Sequence, residues 1–286
     1  MLNGYLFAVL TGVFFGIQGV YGKILTRKLS PAILAWGSFT FTIPYLLIVV
    51  MAEGIPPIHW SSFLWATFTS FSINLFAWLL FFQALEAADL AHTMPFTSFT
   101  TLFLIPVAFV LLRELPDQTG VAGILLVFLG GYGIHLKKMN LFEPLKNIFH
   151  NKGTRLMLMV ALMWSVSATV EKVAVLSSSQ AFYGVTINTL LALAYTPLVI
   201  WKQRDQFAKV RFNLIPLFIL GSISGLLILA QFTALKLLLV SYVIAFKRAG
   251  VIISVFLGMI LFKERNPLQN LFFTFLMVIG VFLIMT

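Results

Sequence analysis

Apolar residues along this chain fall into runs of roughly twenty, the length that carries a helix across a hydrocarbon layer, separated by charged or Pro/Gly-containing breaks. Ten runs can be counted: Leu2–Leu25, Ile33–Ala52, Phe63–Ala84, Leu90–Leu112, Gly120–Leu136, Leu156–Leu176, Ala181–Trp201, Leu214–Leu235, Leu237–Phe262 and Leu268–Met285. The links are short except Lys137–Arg155, which falls between the fifth and sixth runs. Within it Leu141, Leu145 and Ile148 recur at helical spacing beside Lys146 and Lys152, the pattern of a short interfacial helix. The predicted fold is all-α and integral to the membrane, with ten transmembrane helices. They divide into a first half over residues 1–138, a linker over 139–155 and a second half over 156–286.

Equal halves prompt a search for an internal repeat. Sliding the chain by 150 residues places Ala84-Leu85 on Ala234-Leu235, Arg113-Glu114 on Lys263-Glu264 and Gly130 on Gly280. Apolar matches carry little weight in such a sequence, but a basic-acidic pair and a glycine in register do. Because each half has an odd number of helices, the two copies must stand upside down to each other. Inverted repeats of this kind build secondary transporters, with the substrate held near the midplane where the halves meet.

Composition sharpens this picture. The chain is 60% hydrophobic and 10% charged, with mean hydropathy +1.00, far from the balance of a soluble domain. The net charge of +10 is scattered through short links between apolar runs, so it points to membrane topology and away from nucleic acid. Segments 23–28, 137–155, 202–211 and 263–265 carry 14 Lys and Arg, whereas the opposite ends carry Arg113, Lys172 and Lys236. The positive-inside rule makes the first set cytoplasmic and puts both termini on the other side. The expected location is a cell membrane, crossed many times. The N-terminal run lacks a basic leader and a small-residue cleavage site, so it reads as a retained first helix. With no cysteine and four histidines far apart, neither a metal site nor a cofactor is expected. No catalytic constellation stands out, and the chain is not read as an enzyme.

The residues that organise the functional reading are Lys247 and Arg248. At about 1.5 Å per residue, Lys247 lies roughly 15 Å beyond Leu237, near the centre of a layer about 30 Å thick. Charge at that depth costs from about 2.5 to more than 10 kcal/mol, and it persists where it lines protein or water on a substrate path. Of the acidic residues, only Glu171 falls near the interior, so two cations leave room for a bound anion. Side chains at adjacent helical positions point about 100° apart, which puts Lys247 and Arg248 on different faces. Lys247 heads a stripe with Gly250, Ser254 and Gly258, the small-residue spacing that lets helices approach closely. Further candidates to line the same site are Asn74 and Trp78 on one face of the third helix, His92, Thr97 and Ser98 on the fourth, and Gln231 on the eighth. Pro95 and Pro106 are placed to bend the fourth helix.

Two inverted five-helix halves, the Leu111–Glu114 and Leu261–Glu264 helix endings, and Gly130 with Gly280 make the chain resemble the drug/metabolite transporter superfamily, in particular the EamA-like transporters. The resemblance covers nearly the whole chain and implies a membrane-embedded carrier of small metabolites without an ATP-binding part. Within that superfamily, Phe246–Phe256 looks like the ninth helix of the sugar-phosphate and triose-phosphate translocators, where a Lys-Arg pair holds the substrate phosphate. Only Lys247 and Arg248 carry over. A lysine those relatives place on the fourth helix has no counterpart, since Leu90–Leu112 contains no Lys or Arg.

The expected function is therefore secondary-active transport of a small organic metabolite, an anion bearing carboxylate or phosphate, with exchange favoured over proton coupling. The alternatives are an amino-acid or drug exporter, a lipid-head-group flippase, and a non-transporting membrane scaffold whose charged pair is internally neutralised. The expected partners are a small-molecule substrate and the lipid bilayer, with no nucleic acid and a homodimer left open.

Overall fold

A computed structural model describes residues 2–88, 93–133, 151–202, 210–262 and 267–286. Among them the chain runs through α1 (Leu2–Thr26), α2 (Pro31–Glu53), α3 (Trp60–Ala87), a 3-10 turn (Met94–Ser98) leading into α4 (Phe99–Leu112), and α5 (Gln118–Gly133). The second half contains α6 (Lys152–Leu176), α7 (Gln180–Pro197) running into a π turn (Leu198–Lys202), α8 (Leu214–Leu237), α9 (Val240–Ala249), α10 (Val251–Phe262) and α11 (Pro267–Met285). These make ten spans, because α9 and α10 are two pieces of the ninth. Six of the helices are individually long and apolar enough to cross a membrane. In a bilayer every backbone polar group must be satisfied internally, and helices do this within one segment. The interfacial helix expected between the halves falls on residues 134–150, outside the described residues.

Helix ends follow local chemistry. Asn151 and Ser179 cap α6 and α7 by accepting from the amides of Thr154 and Phe182. Gly54 ends α2 at φ 81°, a conformation glycine adopts without steric cost. Arg113 ends α4 in the left-handed region at φ 57°, which is unusual for a residue with a Cβ. That turn sends Glu114 back across the bundle, where it accepts from the Val240 amide at 3.0 Å and pairs with Lys172.

Packing between the halves obeys the repeat. α1 packs on α8 as α3 packs on α6, and α1 packs on α9 as α6 packs on α4. α2 faces α7, and α5 faces α11. The glycines matched in sequence meet in this last crossing: a Cβ on Gly130 would fall 2.6 Å from the Phe273 carbonyl, and one on Gly280 would fall 2.6 Å from that of Gly123. Since Gly123 and Phe273 are themselves 150 apart, these are the same contact seen from each half. Lysines repeat too. Lys23 Nζ donates to the Ala88 carbonyl at 2.7 Å, and Lys172 Nζ to the Leu238 carbonyl at 2.8 Å. Ala88 and Leu238 close α3 and α8 at equivalent positions 150 residues apart.

The exterior carries Phe68, Val110, Phe275 and Phe282, each more than half exposed, as suits a lipid-facing wall. The interior is apolar and aromatic, with Phe15, Phe81, Phe82 and Trp164 at its centre.

Candidate functional site

α9 ends one residue after Arg248 because α1 crosses there. Gly250 meets the backbone of Gly12, and Ser254 Oγ donates to the Gly16 carbonyl at 2.9 Å. Gly250 and Ser254 of the predicted small-residue stripe thus form the seam with α1, and the predicted single helix Leu237–Phe262 is divided there into α9 and α10. Lys247 and Arg248 sit in the last turn of α9, where the helix dipole favours cations by about 0.3–1 kcal/mol.

Both side chains enter one cavity of about 60 Å³, with room for a few waters. The expectation that they occupy different faces does not hold. Their long stems span the angular separation, and both cations lie over the same two rings. Lys247 Nζ is 5.3 Å from the Phe15 ring centre and 5.6 Å from that of Trp164; for Arg248 Cζ the distances are 4.9 and 5.2 Å. Cation–π contacts of this kind offset part of the cost of removing a cation from water.

The remaining polar groups form a connected chain. Lys247 Nζ donates to Gln231 Oε1 at 2.6 Å, and Gln231 Nε2 donates to Glu171 Oε2 at 3.2 Å. Glu171 Oε1 accepts from Ser167 Oγ at 2.7 Å and from Asn74 Nδ2 at 3.1 Å. Tyr183 Oη donates to Ser70 Oγ at 2.8 Å, beside Asn74. Among the described residues neither Lys247 nor Arg248 has a carboxylate within 4.0 Å; the ion pair is Lys172–Glu114. Arg248 is 1% exposed, yet its Nε and Nη1 have no hydrogen-bond partner, and Asn188 Oδ1, also at the cavity, has none.

Of the residues predicted from sequence, Asn74, Trp78, Gln231, Lys247 and Arg248 line this cavity together. Thr97 and Ser98 are buried in the 3-10 turn and do not line it. The Ser98 hydroxyl lies against Gly131 of α5, where an added Cβ would be 2.1 Å away. His92 lies outside the described residues. Glu171, Trp164, Phe39 and Asn188 stand in the same wall, with aliphatic and aromatic side chains between them. Glu171, near the interior by sequence but not among the candidate site residues, belongs to the cavity. The four-residue spacing of Ser70 with Asn74 and of Ser167 with Glu171 was the available signal, since such pairs share one helix face.

The repeat also explains where the charge comes from. The shift of 150 carries Thr97 and Ser98 onto Lys247 and Arg248. For the first and sixth spans the register is 149, as in Lys23 and Lys172, which carries Phe15 onto Trp164, Gln18 onto Ser167 and Gly22 onto Glu171. Two bridges are therefore counterparts: Gln18 Nε2 donates to Ser224 Oγ at 2.7 Å, and Asn74 Nδ2 to Ser167 Oγ at 2.6 Å. Among the described residues the ionisable groups of the cavity all belong to the second half, and the first half offers Gly22, Thr97 and Ser98 at their places.

The family model for the EamA-like transporter family matches the chain twice, over residues 2–136 and 151–286. A solved crystal structure superposes on 96% of the chain and 95% of its own with a TM-score of 0.69 at 15% sequence identity, a likeness of fold. Among curated proteins none matches.

Proposed function

The chain belongs to the EamA-like transporter family, and from that premise we propose that it is a secondary-active carrier of a small organic anion. The anion is bound by Lys247 and Arg248 in the cavity between the two inverted halves, which expose it to either side by rocking about their shared crossings. The observation that supports this most directly is Arg248: a buried guanidinium with two unpartnered nitrogens, beside a second cation, at a cavity that bears one carboxylate. A cation with a purely structural task would be neutralised, because an uncompensated buried charge costs several kcal/mol. An arriving carboxylate or phosphate supplies the missing acceptor, with Arg giving directional donors and Lys a point charge. Gln231 holds Lys247 in place, and Asn74 and Trp78 stand in the same wall.

The distribution of basic segments supports a cytoplasmic linker between the halves and both termini on the opposite side. A reporter enzyme active only in the cytoplasm should be silent when fused to the C-terminus.

The deciding experiment is anion uptake or exchange in proteoliposomes, with wild type and Lys247→Ala compared at equal insertion. Transport should fall to background in the variant while its elution profile in detergent stays that of wild type. A variant that transports normally removes the anion site from Lys247.

A further inference from the structure

Among the described residues three ionisable groups line the cavity: Lys247, Arg248 and Glu171. Their formal sum is (+1) + (+1) + (−1) = +1. In water that excess would be of no consequence, but buried charge is screened weakly and uncompensated charge is expensive. Glu171 is not free to be ignored in this count. It is fixed at the cavity by Ser167, Asn74 and Gln231, and Gln231 ties it to Lys247 through one amide group. The site is thus a +2 cradle already half neutralised by the protein.

From this geometry we infer that the carrier selects a monoanion with an apolar body, and that Glu171 sets the selected charge. The inference rests on the anion-carrier reading above and goes beyond it by fixing the substrate class. A monoanion brings the cavity to zero. A dianion takes it to −1 and sets its second charge against Glu171, and a zwitterion leaves the excess of +1 untouched. The rest of the wall suits an apolar body: Phe39, Trp78, Ile187, Leu191 and Phe232 surround the charged end. Trp78 makes edge contacts with Phe39 and Trp164 at 5.7 and 5.4 Å between centres, so the aromatic face is continuous. The unpartnered Asn188 oxygen adds one acceptor for a hydroxyl or N–H on that body. A sugar phosphate, carrying two charges and many hydroxyls, fits neither the charge nor the wall.

The test is a binding panel on the purified full-length protein in which body size is held constant and charge is varied: hexanoate against adipate and leucine, and benzoate against phthalate. Binding is read as ligand-induced thermal stabilisation, which grows with ligand concentration over Kd. Wild type should be stabilised by hexanoate and benzoate, and much less by the dianions and by leucine. In Glu171→Gln, which keeps the shape and raises the site to +2, the dianion-to-monoanion affinity ratio should rise about tenfold or more, as expected for removing one like charge at contact range. Dianions or leucine binding wild type at least as well as the monoanions would overturn the inference, with no variant needed. A ratio unchanged in Glu171→Gln would remove Glu171 as its cause. In both cases anion stabilisation lost in Lys247→Ala leaves the carrier reading standing. No stabilisation by any anion would sink both readings together.

Discussion

Replacing Gly250 by alanine tests how the ninth span is interrupted beside the site. A Cβ there would lie 1.9, 2.5 and 2.8 Å from the O, C and Cα of Gly12, all backbone atoms of α1, so no side chain can rotate away. To reach ordinary contact at 3.4 Å, α1 must retreat by 3.4 − 1.9 = 1.5 Å. Overpacking of this kind costs about 1–3 kcal/mol, and the backbone on both sides puts Gly250 at the upper end. The gain from alanine over glycine in a helix, about 0.5–1 kcal/mol, offsets a minor part. The expected net loss is about 2 kcal/mol, together with weaker anion binding, because Gly12 also packs on the Phe246 carbonyl next to Lys247. Gly225→Ala is the control: its nearest neighbours are 3.6–3.7 Å away, so it should be neutral or slightly stabilising. The assay is thermal unfolding in detergent, with and without anion. If Gly250→Ala melts with or above wild type, the close crossing of α1 does not shape the site.

Two further outcomes are expected. Glu114→Gln loses the Lys172 ion pair and weakens the cap on α9; with side chains only 9% and 16% exposed, thermal or denaturant unfolding should show a loss of about 2–3 kcal/mol. Adding Lys172→Met should recover part of it, and an unchanged single variant would refute the latch. Asp117 lies in the exposed link before α5, where the Tyr242 hydroxyl, the Gly120 amide and Thr119 donate to it and hold its carboxyl below the usual 3.8. A group with a depressed folded pKa stabilises above its unfolded value, and that contribution fades as pH falls through the folded one. Wild type should therefore show an acid-sensitive increment of stability below about pH 4 that Asp117→Asn lacks, read by melting at stepped pH.

The spans were legible because a bilayer imposes one length and one polarity on everything that crosses it. Ends such as Leu2, Leu214 and Met285 are the same in sequence and structure. The interruption at Gly250 was not legible, since glycine at that spacing signals close packing in an unbroken helix as well as in a broken one. Lys247 and Arg248 stood out because charge is costly at their depth. Glu171 and Lys172 were harder to tell apart: adjacent in sequence, they point to different places, one into the cavity and one to Glu114 and the α8 terminus. Only the rotation of α6 against its neighbours decides which is which. Thr97 and Ser98 looked like site residues for a sound reason, as they stand where the second half has its cations. Their short side chains stay buried in the 3-10 turn instead, with Ser98 against Gly131 of α5.

The lysine that closes α3 and the lysine that closes α8 have a consequence for motion. Because each half repeats the other upside down, the proposed rocking makes the conformation that one half adopts here a template for its twin in the opposite-facing state. Threading residues 2–133 through the backbone of the second half, and the reverse, therefore yields coordinates for the opposite-facing state from this structure alone. The Lys23–Ala88 and Lys172–Leu238 contacts, at 2.7 and 2.8 Å, are alike and would survive that exchange, so paired spin labels near those ends should report no change while residue pairs that differ between the halves trade distances.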